Sequence, residues 1–355
     1  MRVAVLGAGS IGLGSAALLA QRGHEVVLWS RSLPAGPGVL VETGSLQGEY
    51  PVAAAADVAA AVQGAEAVLV TVPGFAHRAV LDLLAPALVP GQAVIISSHC
   101  SFSGLYLRRK VPGVSVAAWG TTVVTGRRAG PLRMKVSNVR AQVDVAGLPA
   151  SFGPAALALC QALFGDRFAL RDDLVAISLS NLNPQNHLAM SLCNLTRMER
   201  GEDWPNYWGV THAVGRLMEA LDRERLAVAA AYGVSVRTII DHFHLSFGAP
   251  RGTVGEMAAA VHDGGNRPLG PKTLDTRYIT EDVPFGLLPT ELLARAAGVA
   301  VPLHSGGIDM LSALCGRDFR GENDLLPGLG LDGLDVAGIR ATLGGGAPVT
   351  EAAGR

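Results

Sequence analysis

The segment RVAVLGAGSIGLGSAALLAQRG, residues 2–23, changes character twice. After Arg2, residues 3–6 are apolar, with β-branched Val3 and Val5, the composition of a buried strand. A glycine turn follows, and then an Ala/Leu run that reads as helix. Gly7, Gly9 and Gly12 stand in GxGxxG spacing. The three glycines serve different ends. Gly7 permits the tight turn, Gly9 lets a pyrophosphate approach the backbone, and Gly12 lets helix and strand pack closely. Ser10 and Ile11 complete the turn, so the first helical N–H groups and the positive end of the helix dipole are offered to phosphates. A second apolar run, EVVLW at 25–29, follows Gly23. Strand, glycine turn, helix and strand in this order predict a dinucleotide site. The competing reading is a glycine-rich turn that binds nothing.

The residues ending the second strand bear on which dinucleotide. An NAD site usually places Asp or Glu there, against the ribose 2′-hydroxyl. This chain has Trp29, Ser30, Arg31 and Ser32, with no acid. Ser30, Arg31 and Ser32 suit a 2′-phosphate, which a guanidinium pairs well, so the sequence favours NADP(H) over NAD(H). Further apolar runs at 66–73, 92–98 and 114–128, and alternating patches at 134–148, read as strands, with the end of 114–128 read as loop. A helical pattern lies between the first two. The alternation predicts a doubly wound parallel sheet of Rossmann type. Ligands then lie beyond the C-terminal strand ends, which puts Val72, Pro73 and Gly74, and Ser97, Ser98 and His99, beside the dinucleotide. His77 and His99 read as structural histidines.

With 355 residues, 49% of them hydrophobic, the chain can bury one large or two moderate cores. A formal charge of -1 and the lack of a basic stripe argue against a nucleic-acid partner. Cys100, Cys160, Cys193 and Cys315 form no CxxC pair. They read as buried thiols of a reducing compartment, with no disulfide frame and no metal site. The uncharged N-terminal run superficially resembles a signal peptide, but its glycine spacing assigns it to the nucleotide turn. The expectation is a cytoplasmic protein with no membrane partner.

From about residue 173 the pattern becomes helical, giving an expected division into 1–172, a helical domain 173–340, and a Gly/Ala-rich tail 341–355 without order. Within the helical domain, NLNPQNH at 181–187 crowds asparagines around one proline. Asn183 and His187, spaced i, i+4, share a helix face. Pro184 is tolerated in a first turn, making Asn183 an N-cap or near it; a hydrogen-bonded core histidine is the bland account of His187. Near the end, LDTRYITEDVPFGLLPT at 274–290 carries Arg277, Glu281 and Asp282 between apolar residues, and its two prolines preclude a simple helix. An acid there can orient a histidine, and Arg277 can hold a carboxylate bidentately.

GAGSIG, NLNPQNH and TRYITEDVPFGLLP, in this order and spacing, resemble the opine dehydrogenases of the octopine/nopaline type. The resemblance spans nearly the whole chain. It implies a Rossmann-type α/β N-terminal domain followed by an all-α C-terminal domain. It also implies reduction by NADPH or NADH of the imine formed from an amino acid, or another primary amine, and an α-keto acid. By the same resemblance His187 is the catalytic histidine and Asp282 its partner, while Asn183 and Arg277 bind substrate. WPNYW at 204–208 reads either as pocket wall or as core. The sequence is silent on oligomeric state; a homodimer is the working expectation.

Ketopantoate reductase, glycerol-3-phosphate dehydrogenase and related hydroxyacid dehydrogenases share such a first half and are alike in using a helical-domain lysine. Here the second half offers only Lys272, in the loop-like GPKT. A silent dinucleotide sensor is the remaining alternative, disfavoured by the intact His187, Asp282 and Arg277.

Overall fold

The computed structural model of the chain describes residues 1–345. It divides into two compact units, Met1–Ile177 together with the segment from Arg340, and Ser178–Ile339.

The first unit is built on a sheet of eleven strands among the described residues: β1 (Arg2–Leu6), β2 (Glu25–Trp29), β3 (Gly36–Glu42), β4 (Gly48–Ala54), β5 (Ala67–Val70), β6 (Ala93–Ile96), β7 (Ser115–Trp119), β8 (Val124–Gly130), β9 (Arg133–Val139), β10 (Val143–Leu148) and β11 (Phe168–Leu170). Their order is β11-β10-β7-β6-β5-β1-β2-β4-β3-β9-β8. The run from β7 to β4 is parallel throughout. β5 and β6 are buried at every residue and β1 at all but its first, as expected for strands covered on both faces. The order reverses at β1, with β2 on one side and β5 on the other, and such a reversal opens a crevice at the C-terminal strand ends. The expected doubly wound sheet is present.

Its margins were not all legible. β3 and β4 form an antiparallel hairpin in a stretch that carries no strong alternation. Residues 124–128, expected as loop, belong to β8, which pairs antiparallel with β9. The reason is tertiary: Val123, Val124, Met134 and Val136 are buried, and β8 packs on the helix Ser10–Gln21. A Cβ on Gly14 of that helix would come within 2.8 Å of Val124 Cγ2. The two hairpins are joined through the Glu42 carboxylate, buried to 1% exposure, which accepts backbone N–H from Gly44 (2.6 Å), Leu46 (2.8 Å) and Val136 (2.6 Å).

The second unit is helical, with one isolated bridge, Pro205 to Leu269, among the described residues. Its main helices are Asn183–Glu199, His212–Ala231, Ile239–Phe247, Val254–Asp263, Leu288–Ala296 and Pro302–Cys315. Thr211, Thr238 and Thr253 cap three of them, the last in a full capping box with Glu256. A buried pair ties the helices together. Arg225, fully buried, bonds Asp222 at 2.6 Å and the carbonyls of Leu179 and Arg237, while Asp222 accepts from Ile239 N at 2.9 Å.

Three expectations change. The helical pattern from residue 173 is interrupted at Asn181 and Leu182, leaving Leu174–Ser180 and Asn183–Glu199 as separate helices with Leu182, one residue before Asn183, at the N-cap. Of the tail 341–355, residues 341–343 finish the helix Val336–Leu343, and Gly344 O accepts from Ala150 N at 3.0 Å; residues 346–355 lie outside the described residues. Of the four free thiols only Cys160 is buried; Cys193 is exposed. Among the described residues no helix is long and apolar enough to cross a membrane.

Candidate active site and cofactor turn

The glycine turn lies at the sheet reversal, after β1. Gly7 has φ +118°, where an L side chain is strained, and a Cβ on it would stand 2.8 Å from Thr71 Oγ1. A Cβ on Gly12 would fall 1.8 Å from Gly7 O. Neither position tolerates a side chain without moving the turn. A Cβ on Gly9, by contrast, meets nothing within 4 Å, so the turn's open side is at Gly9. The helix Ser10–Gln21 starts there with no side-chain cap, leaving its first N–H groups to an anionic ligand. Thr71, at the end of β5, bridges from its hydroxyl to Leu6 O and Gly7 O, both at 3.1 Å. This geometry fits a dinucleotide pyrophosphate at Gly7, Gly9, Ser10, Ile11 and Gly12. Arg128 of β8 donates its N–H to Ser10 Oγ at 3.1 Å, a contact with no signal in the sequence. Val72 and Pro73 follow β5 at the same end of the sheet, and both are half-buried.

Ser30, Arg31 and Ser32 follow β2 as expected. The two hydroxyls lie 3.3 Å apart, and Arg31 and Ser32 are exposed, which suits a 2′-phosphate. His77 and His99 are buried at 0% and 2% exposure. Nδ1 of His77 contacts Ser103 Oγ at 3.0 Å and Nε2 contacts Val72 O at 3.1 Å. Nε2 of His99 accepts from Gly104 N at 3.2 Å. Both histidines are structural, as their sequence context suggests.

In the helical unit, two distant segments meet. Pro184 lies in the first turn of the helix Asn183–Glu199. Leu182 is the N-cap; Asn183 is the first helical residue, and its N–H is accepted by Asn181 Oδ1 at 3.1 Å. Asn183 lies one turn before His187 and keeps part of its surface exposed. The second segment runs as a short helix Arg277–Thr280, a π-helical turn Val283–Leu287, and the helix Leu288–Ala296. Single π turns within helices are frequent at functional sites. Asp282 stands at its entrance.

His187 Nδ1 and Asp282 Oδ2 are 2.6 Å apart, with side chains 20% and 14% exposed. Burial pushes the Asp282 carboxyl above the ordinary carboxylate range, and the His187 contact works against that. With Nδ1 held by the carboxylate, Nε2 has no partner among the described residues. That is the tautomer and orientation a general base needs. Tyr278 covers one face of the imidazole, with ring centroids 3.6 Å apart and planes within 10°. Arg277, the same helix's first residue, bonds Glu281 through Nε; the arginine is largely exposed and the glutamate largely covered. Glu281 is therefore the partner of Arg277. Lys272 pairs with Asp203 at the surface.

WPNYW resolves into separate roles. Trp204 is core, donating Nε1–H to Pro271 O at 3.0 Å. Asn206 neighbours the Tyr278 side chain, and its effect there opposes the burial that raises the phenol's pKa. Tyr207 packs edge-on against Phe243 and Phe247, and Trp208 is exposed. Tyr278 stacks on His187 and Asn206 neighbours Tyr278, and the sequence alone gives Tyr278 no role. The adjacency of Tyr278 to Arg277 is the sole local signal.

Residues 170–315 match the family described as NAD/NADP octopine/nopaline dehydrogenase, alpha-helical domain, and residues 3–146 match ketopantoate reductase PanE/ApbA. An opine dehydrogenase of Arthrobacter sp. (strain 1C) is 31% identical over 353 residues, covering 96% of this chain and 98% of that protein. The solved octopine dehydrogenase with NADH and L-arginine superposes with a TM-score of 0.77 at 19% identity, covering 98% of each chain. Yersinopine dehydrogenase with NADP+ bound gives 0.65 at 17% identity, covering 92% of this chain and 97% of that one. At these identities the two structures speak for the fold. The ketopantoate reductase family match falls on the nucleotide half, and the octopine/nopaline dehydrogenase match on the helical half. The chain belongs to the opine dehydrogenase family, NAD(P)-dependent oxidoreductases acting on the CH–NH bond.

Proposed function

We propose that the protein joins the primary amine of an amino acid, or another amine, to an α-keto acid and reduces the resulting imine, with His187 as its acid–base group. The observation that carries this reading is the 2.6 Å contact of His187 Nδ1 with Asp282 beside an unpartnered Nε2. Nε2 takes a proton from the substrate ammonium, and the free amine attacks the keto carbon. The imidazolium then returns that proton to the departing hydroxyl, so water leaves and a protonated imine remains. The reduced nicotinamide, when bound, supplies the hydride that converts it to a secondary amine. Asp282 keeps the proton on Nδ1 and balances the imidazolium charge. Arg277 anchors a carboxylate, and Asn183, on the His187 face, donates to substrate.

Gly7, Gly9, Ser10, Ile11, Gly12, Val72 and Pro73 hold the dinucleotide in the unit 1–172, and 173–340 form the substrate unit. Ser30, Arg31 and Ser32 favour NADPH over NADH. Four thiols free of disulfides support a cytoplasmic setting. A homodimer is the proposed assembly, read by light scattering. The deciding assay crosses pyruvate, oxaloacetate, 2-oxoglutarate and glyoxylate with pooled amino acids and follows NADPH and NADH oxidation, omitting each component in turn. Oxidation requiring both amine and keto acid is expected. Oxidation with keto acid alone would replace this reading with a hydroxyacid reductase.

A further inference from the structure

We propose that Tyr278 is a positioning residue for His187: stacked flat on the imidazole, it holds that ring with Nδ1 on Asp282 and Nε2 directed away. This rests on the acid–base role proposed for His187.

The stacking geometry is unusual within the chain. Every other aromatic or histidine pair among the described residues is tilted or edge-on, with planes at least 43° apart. Here the planes are within 10° and the centroids 3.6 Å apart, with little offset. Two neutral aromatic rings avoid this face-to-face arrangement, because their quadrupoles repel. It becomes favourable when one ring carries positive charge, since the π face attracts a cation. A histidine that passes through imidazolium in each turnover is such a ring.

The stack also removes freedom that the Asp282 bond leaves. The imidazole's outer torsion is broad, and one hydrogen bond at Nδ1 does not prevent the ring from tilting out of plane. Asp282 acts in the ring plane and Tyr278 on its face, and both come from one segment, four residues apart. The other charged groups acting there are Glu281 and Arg277, on the same segment. Asn206 neighbours the Tyr278 side chain and is itself fixed by its N–H to Pro268 O at 2.7 Å.

The test compares Tyr278→Phe, Tyr278→Leu and Tyr278→Met with wild type and His187→Asn, in the full chain. The His187 ring-proton shifts by NMR are read first, since they need no substrate. Shielding by the stacked ring should persist in Tyr278→Phe and vanish in Tyr278→Leu. Turnover is then measured with pyruvate and mixed amino acids, and NADPH binding by fluorescence titration. Tyr278→Leu should lower kcat about ten-fold or more at unchanged NADPH affinity, and Tyr278→Phe should restore most of it. If Tyr278→Leu does not fold, Tyr278→Met decides: reduced shielding and kcat support the proposal, and wild-type kcat overturns it. Wild-type kcat in Tyr278→Leu, or equal damage in Tyr278→Phe, also overturns it. An inactive His187→Asn beside a fully active Tyr278→Leu sinks the stack alone, whereas an active His187→Asn sinks the acid–base reading.

Discussion

Pro184 occupies the space that a side chain on Gly286 would need: a Cβ there would stand 2.4 Å from Pro184 Cγ and 3.7 Å from Asp282 Oδ1. Pro184 opens the helix that carries His187, and Gly286 lies in the π turn that begins beside Asp282. Their close approach therefore sets the distance between the two backbones that bear His187 and Asp282.

Gly286→Ala should push those backbones apart. Overpacking of this kind costs about 1–3 kcal/mol of stability. A small displacement of a catalytic pair also lowers kcat about ten-fold or more. Steady-state kinetics and thermal melts read both effects. Gly306→Ala is the contrasting control. A Cβ there meets nothing within 4 Å, in the helix Pro302–Cys315, and a gain of about 0.5–1 kcal/mol is expected. Equal behaviour of the two variants would show that Pro184 yields freely.

Asp282→Asn keeps the shape of the side chain and removes its charge. An amide can donate to Nδ1 and so favour the wrong tautomer of His187. Turnover should fall about 10²- to 10⁴-fold, while NADPH affinity, read by fluorescence titration, stays at its wild-type value. A loss confined to KM would assign Asp282 to substrate binding.

Arg31→Ala should weaken NADPH binding about ten-fold and leave NADH binding nearly unchanged. A charge-assisted bond to the 2′-phosphate is lost in the first case and has no counterpart in the second. Titrating both cofactors by intrinsic fluorescence checks this, and equal weakening of the two would move Arg31 to the pyrophosphate or the adenine.

Burial lowers the His99 pKa to about 3 from 6.5, and the field of His77 adds to the effect. Between those values the unfolded chain binds a proton that the folded chain excludes. Stability contributed by neutral, buried His99 is therefore complete above about pH 6.5 and is lost as the pH falls toward 3, at up to about 1.4 kcal/mol per pH unit. Urea unfolding at about pH 7.5 and about pH 5 should show the decline, and His99→Gln should flatten it.

Much of the protein was legible locally. The glycine turn follows from spacing within residues 7–12, because each glycine answers to a neighbour in its own strand, turn or helix. β1, β2, β5 and β6 follow from short buried apolar runs, and the helices after residue 173 from their helical pattern. NLNPQNH and TRYITEDVP marked His187 and Asp282 because polar residues in apolar surroundings need a reason.

Tertiary structure decided the rest. β3, β4 and β8 become strands through burial against a helix and through the Glu42 carboxylate, none of which shows in their own sequence. The pairing of His187 with Asp282 joins positions 95 residues apart. The stack of Tyr278 on His187 and the fit of Pro184 to Gly286 join positions about as distant. Such contacts depend on the backbone path between the segments. A sequence window records which residues suit a helix or strand, and only the packed chain determines which faces meet.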